Sequence, residues 1–327
     1  MGSSAPSRAA ASPAFRAAFR AAAGPAGRLT FAQFMELALY HPEAGYYRAA
    51  RERVGRAPGT DFITSTTVGP LFGELVVAAA VHLLGSEPAP RHTFVELGAE
   101  PERSVLAGVD HPFAAVHTVR LGDPLILAGD CIVFSNELFD AQPCVRTVHR
   151  GGAWHERTVE LAADGTLAEG EIPYPDDAQP ATEGYAFDRP LAAAQLARKI
   201  ARQPWRGLFL AFDYGKTERE LRTECPAGTA RAYHCHRQER DLLARPGEQD
   251  LTCHVCWDWI VAELNAAGFS MSALEFQETF FVRHAGPKIA AVSMAEAARF
   301  SPRKQALMQL LHPGQLGQRF QVLHARR

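Results

Sequence analysis

An excess of charge of either sign is missing from this 327-residue sequence, in which 34 lysines and arginines stand against 36 aspartates and glutamates. With no net positive field to hold a polyanion, the chain is not expected to bind nucleic acid. Long apolar runs are missing too: Leu75 to Leu84 stops at Gly85-Ser86-Glu87-Pro88, well short of the roughly 20 residues that span a bilayer. A soluble protein with no membrane partner is expected. Cysteine is scarce, six residues with no secretory leader before them, which reads as reduced thiols in a cytoplasm. Acids are absent from residues 1 to 35, which carry four arginines and many alanines. That composition is shared by mitochondrial transit peptides, and would mean the matrix if the source is eukaryotic. Pro13 to Ala23 nevertheless reads better as one short helix stopped by Gly24-Pro25.

What is present is the balance of a globular α/β chain, 47% hydrophobic and 21% charged. Thr30 is placed to cap an apolar-periodic helix that ends at His41-Pro42, and a polar Thr/Ser/Gly loop leads into a helix starting near Gly69. Four later segments read as buried parallel strands: 92–98, 131–137, 208–215 and 274–284. Helical stretches at 189–201 and 256–268 separate some of them, so a doubly wound sheet is expected. Alternating residues with Gly151-Gly152 and Asp164-Gly165 turns predict a small antiparallel insertion at about 145–172. The expected organisation is an N-terminal helical or lid region over 1–90, then a Rossmann-like domain over 91–327.

In open parallel sheets ligands bind beyond the carboxyl ends of the strands. Glu96 and Gly98 follow the first strand, Asn136, Glu137 and Asp140 the second, and Asp213, Tyr214 and Gly215 the third. One acid at a strand end is usually a cap or turn former. Three clusters at equivalent ends point to a site.

The blocks FMELALYHPEAGYY, GTDFITS with PLFGEL, SNELFDAQP, FDYG, GTARAYHCH, DLTCHV and LLHPGQLGQRFQVL occur in this order. The chain resembles the MidA-like family, which includes the complex I assembly factor 7 type of mitochondrial protein arginine methyltransferase. The resemblance spans roughly residues 25 to 323. It implies a class I methyltransferase fold, S-adenosylmethionine as cofactor, and a protein substrate, a respiratory-complex subunit for the mitochondrial members. Carried over residue by residue, it puts Thr64, Ser65, Glu96, Gly98 and Glu137 at the donor. Asn136, Glu137, Asp140 and Tyr214 become the catalytic, substrate-side residues, with Asp213, Gly228, Thr229, Tyr233 and His236 supporting the pocket.

Against the family's glycine-rich turn, this chain reads Glu96-Leu97-Gly98-Ala99-Glu100-Pro101-Glu102 and keeps only the first glycine. Pro101 removes an N–H, while Glu100 and Glu102 place negative charge where the donor's carboxylate would sit. The following span holds no clear strand ending in a ribose-binding acid, although AAVHTVRLGDP could form one with Asp123 nearby. Donor binding is therefore expected to be weak. Cys253 and Cys256, with His234, Cys235 and His236 upstream, have metal-compatible spacing. They fall in a block where the resemblance places no ligands, so no metal is assigned. Methyl transfer to a protein arginine is the leading reading. The alternative is a catalytically impaired descendant acting as a protein-binding or assembly factor, and a metal or redox module is the outsider.

Overall fold

The computed structural model of the protein describes residues 10–48, 68–99, 104–175, 181–235, 237–298 and 301–327. Helix α1 (Pro13–Ala23) starts with Ser12 Oγ accepting the Phe15 N–H and Pro13 in the first turn, and ends at Gly24. Strand β1 (Arg28–Thr30) follows. Helix α2 (Phe31–Tyr40) carries a full capping box, because Thr30 and Gln33 each accept the other's backbone N–H. Helix α3 (Pro70–Leu84) is apolar almost all round and is correspondingly buried.

Strands β2 (Thr93–Leu97), β3 (Ala115–Val119) and β4 (Gly129–Asn136) then enter the main sheet in parallel. The next stretch is antiparallel. Strands β5 (Val145–Arg150), β6 (Ala153–Leu161), β7 (Leu167–Pro173) and β8 (Ala186–Arg189) form a second sheet, to which β1 adds an edge on β6. The expected insertion is thus present, and larger than 145–172. Its β5–β6 turn is Gly151-Gly152, both at positive φ, which matches the right-handed twist of a tight hairpin.

Helix α4 (Leu191–Ala201) leads to β9 (Trp205–Asp213), which lies parallel to β4. Short elements follow: β10 (Gly215–Lys216), α5 (Glu218–Glu224), β11 (Arg231–His234), β12 (Arg237–Glu239), β13 (Asp250–Thr252) and β14 (Val255–Cys256). After α6 (Trp257–Ala266) come β15 (Ser270–Phe276), α7 (Gln277–His284), α8 (Gly286–Ala295), α9 (Pro302–Leu311) and β16 (Gln321–Arg326).

The main sheet has the order β15-β16-β9-β4-β2-β3, with β16 antiparallel to both of its neighbours. The three apolar strands expected at its centre, β2, β4 and β9, lie side by side and parallel. Helix α3 covers one face, where Phe72 meets Phe134, Phe212 and Phe281 edge-on or tilted. Helices α4 and α6 cover the other with Ala197, Ile200, Ile260 and Leu264 against Val133 and Phe209. A third core joins α1 and α2 to the antiparallel sheet through Phe15, Phe34, Val159 and Leu167.

One strand expectation needs correction. Residues 274–284 are not one strand: β15 ends at Phe276, and Gln277, Phe280, Phe281 and His284 form the buried stripe of α7. Their spacing of three, one and three residues is helical. The segment AAVHTVRLGDP, allowed as a strand by its sequence, does contain one, β3, at the sheet edge. It runs into Arg120 rather than an acid, and Asp123 is taken up in accepting the Arg120 N–H at 2.8 Å.

Candidate active site

At the end of β2, Glu96 is buried and both of its carboxylate oxygens are engaged. Ser104 Oγ donates to Oε2 at 2.7 Å, and the Val105 N–H reaches both oxygens at 2.9 and 3.1 Å. Burial still raises its pKa above the ordinary carboxylate value, with those hydrogen bonds pulling the other way. Gly98 lies just beyond, at φ +75°, where an added Cβ would come within 2.9 Å of Leu138. Only glycine sits there without strain, and its N–H donates to the Val119 carbonyl at 2.9 Å.

Across the crevice, β4 ends in Asn136, whose Nδ2 donates to Glu137 Oε1 at 3.0 Å while its Oδ1 is buried without a partner. Glu137 takes φ +52°, and its N–H donates to the Phe212 carbonyl at 2.9 Å. A non-glycine residue held in the left-handed region costs about 1–3 kcal/mol and persists where its surroundings dictate it. An unpartnered buried amide oxygen and a strained glutamate, beside a glycine held at positive φ on the adjoining strand end, fit a polar donor bound across the ends of β2 and β4. Glu100, Pro101 and Glu102, and the donor residues Thr64 and Ser65 expected from the sequence, lie outside the described residues.

The third cluster is a buried carboxyl pair. Asp213 ends β9 with no exposed surface and accepts the Phe139, Asp140 and Tyr214 N–H groups at 2.8, 3.3 and 2.8 Å. Asp140 is likewise buried. Burial pushes its carboxyl up to about 7, and the same desolvation, followed by repulsion from Asp140, raises Asp213 strongly. Two carboxyl groups this close and this dry hold a proton at neutral pH.

Tyrosines surround this pair, and sequence reasoning missed most of them. Tyr40 Oη donates to the Ala141 carbonyl at 2.7 Å, beside Asp140, and Tyr47 Oη donates to Asp250 Oδ1 at 3.1 Å. The two rings stack with centroids 5.5 Å apart. Tyr214 lies against Phe320, and burial followed by Glu137 and Asp140 pushes its phenol well up. Asp250 on β13 stands opposite Tyr233 on β11. Tyr40, Tyr47 and Asp250 lie in the ordered blocks of the sequence, but far from any strand end of the main sheet. Nothing local marked them as facing Asp140.

Gly228 and Thr229 act through Asp188, which accepts the Thr229 and Ala230 N–H groups at 2.6 and 2.7 Å and pairs with Arg146 at 2.8 Å. Thr229 Oγ1 in turn accepts the His254 N–H at 3.2 Å and lies 3.4 Å from Cys253 Sγ. His254 is held down to about 4 by burial and by Arg231 and Lys216. Cys253 packs in the α1/α2 core with Cys144, whereas Cys256 packs with Trp154, Phe187 and Leu221. His236 lies outside the described residues. Among the described residues, no helix is long and apolar enough to cross a membrane.

This arrangement has counterparts. A Drosophila melanogaster protein, "Protein arginine methyltransferase NDUFAF7 homolog, mitochondrial", is 25% identical over 91% of this chain and 81% of its own length. A Burkholderia thailandensis protein crystallised with S-adenosyl-homocysteine superposes with a TM-score of 0.84 over 96% of this chain and 92% of its own, at 24% identity. A second Burkholderia thailandensis crystal structure gives 0.80 over 96% and 91%, at 23% identity. The fold is therefore that of these proteins. A family model described as "Putative S-adenosyl-L-methionine-dependent methyltransferase" matches residues 106–275, just over half of the chain, from the turn after β2 through the carboxyl pair to β15. The protein belongs to this family of S-adenosyl-L-methionine-dependent methyltransferases.

Proposed function

We propose that the protein methylates the guanidinium of an arginine on a protein substrate. The observation that carries this reading is the buried carboxyl pair Asp140 and Asp213 with Tyr40, Tyr47 and Tyr214 packed around it. A guanidinium is planar, weakly hydrated and charged at every accessible pH. Carboxylates and aromatic faces are the groups that hold such a cation when it leaves water. The name of the Drosophila relative agrees, and the resemblance to assembly-factor methyltransferases suggests a respiratory-complex subunit as the substrate.

Gly98, Asn136 and Glu137 would hold the donor, joined by Thr64 and Ser65 as the resemblance implies, with Glu96 fixing the turn that follows β2. The bound donor supplies an electrophilic methyl group on a sulfonium. Glu137 and Asn136 orient the guanidinium, and Tyr214 positions it. Formation of the N–C bond would be matched by cleavage of the methyl–sulfur bond, leaving the donor as a neutral thioether, and one N–H proton must leave the nitrogen. Asp140, with a pKa near neutrality, is suited to take it.

The test is incubation of the full chain with methyl-labelled donor and arginine-bearing peptides, followed by hydrolysis and amino-acid analysis. Label in methylarginine, reduced about 100-fold or more in a folded Asp140→Asn variant, is expected. Label on lysine or a carboxylate alone, or none where donor binding is measurable, would sink the reading.

A further inference from the structure

Away from the carboxyl ends of the strands, the sheet carries a second cluster of ionisable groups. In the β15–β16 pairing, Ala273 stands opposite His324. Side chains two apart on a strand share a face, so Glu275 lies diagonally beside His324 on that face. Helix α7 leaves the end of β15 and brings its last residue, His284, against both. All three are about nine-tenths buried. Along β16, His324 pairs with Leu210, three residues before Asp213 on β9, so the cluster is separate from the methyl-transfer site.

The geometry is that of ligands. His284 Nε2 lies 3.0 Å and His324 Nε2 3.6 Å from the same oxygen, Glu275 Oε2, and the three ligand atoms all lie within 4.8 Å of one another. For bonds of roughly 2.0–2.1 Å, tetrahedral ligands stand about 3.3 Å apart, so these separations bracket the requirement. Glu275 Oε1 is turned away to Arg283, which leaves Oε2 to the imidazoles. His324 Nε2 is buried and has no hydrogen-bond partner, an expensive condition for a polar atom unless something binds it. Behind the cluster, His284 Nδ1 lies 3.1 Å from Nδ1 of the exposed His82 on α3. That contact can take the Nδ1 proton and so free the Nε2 lone pair, as outer partners of metal-bound histidines do.

We infer that Glu275, His284 and His324 form a binding site for one divalent transition-metal ion, with His82 holding His284 in the ligating tautomer. Two imidazoles and one carboxylate suit zinc and its first-row neighbours better than calcium or magnesium, which prefer all-oxygen sets. The ion joins β15, β16, α7 and, through His82, α3. With three protein ligands, water completes the coordination.

The test uses the full chain, stripped of metal by dialysis against a chelator without unfolding and titrated with Zn2+ by calorimetry. One equivalent per chain is expected. His82→Ala alters an exposed side chain and should weaken binding about tenfold. Glu275→Gln and His324→Gln, checked for folding by circular dichroism, should weaken it at least 100-fold. Cys253→Ser and Cys256→Ser should leave it unchanged, and the Co2+-loaded chain should show no thiolate charge-transfer band. Absence of saturable binding below roughly 100 micromolar, or binding indifferent to His82→Ala and the Glu275 and His324 variants, overturns the site. A thiolate band does the same.

Discussion

The Asp213 carboxylate accepts the Phe139 N–H at 2.8 Å, so the end of β9 fixes the loop that carries Asp140. Burial raises the Asp140 carboxyl to about 7, and a hydrogen bond from the Asp213 side chain pulls it the other way. One residue therefore both places its neighbour and restrains its shift. Asp213→Ala should move the Asp140 limb of the pH–rate profile to higher pH. An acid-shifted limb would show that repulsion from Asp213, not burial, raises the value.

Stability should carry the same signature. Burial sets the folded pKa of Asp140 at about 7, above the ordinary aspartate value of 3.8. Between these values the native state holds the extra proton, so stability falls as pH rises and levels off above about 7. Where a whole proton separates the states the slope is about 1.4 kcal/mol per pH unit. Denaturant unfolding of Asp140→Asn from about pH 4.5 to 8 should lack this part of the slope. A variant curve parallel to the parent's would refute the assignment.

Affinity for S-adenosylmethionine should be at least tenfold weaker than the micromolar range of a working donor site, about 1.4 kcal/mol. The turn after β2 keeps one glycine of the expected set, and β3 is followed by Arg120 rather than an acid. Titration calorimetry decides this. A dissociation constant near 10 micromolar or tighter, abolished by Glu137→Ala, would mean that the altered turn does no harm.

Gly228 has φ +80°, and an added Cβ would press on the Asp188 carboxylate. Gly228→Ala should cost about 2 kcal/mol or more, since it combines left-handed strain with a disturbed buried ion pair. Chemical denaturation reads the loss. A change under about 0.5 kcal/mol would show that Asp188 moves freely.

Thiol chemistry should be sharply unequal. Cys235 is exposed, whereas Cys131, Cys144, Cys253 and Cys256 are buried, and desolvation pushes Cys256 up to about 12. One thiol should react rapidly with a disulfide reagent, and these four only after unfolding. Because Cys253 and Cys256 pack in different cores, thiolate-bound zinc should be absent. Fast release of either thiol on metal chelation would contradict this.

The sheet was legible because β2, β4 and β9 are continuous apolar runs closed by polar turns, and α1, α2 and α3 because their caps are spelled out at Ser12, Thr30 and Gly69. Strand β3 was harder to read: a half-buried edge strand has little hydrophobic signal to show. Residues 274–284 misled because Phe280 and Phe281 prolong the apolar reading of β15 into a helix. At the site, Asn136, Glu137, Asp140 and Tyr214 could be found from strand ends. Tyr40, Tyr47 and Asp250 could not, since they reach Asp140 only through packing between α2, the antiparallel layer and the main sheet.

Strand β16 has a further consequence. It lies between β9 and β15, yet it follows both in the chain, and the Arg327 guanidinium next to it closes on the carbonyls of Ala201, Gln203, Trp205 and Ala267. During synthesis from the N-terminus, β9 waits with an open, apolar edge until residues 321–326 have left the ribosome. Such an edge is a template for pairing with other chains. The nascent protein must therefore be shielded longest at the strand that carries Asp213, and shortening the chain by its last ten residues would leave an aggregating remnant rather than a weaker enzyme.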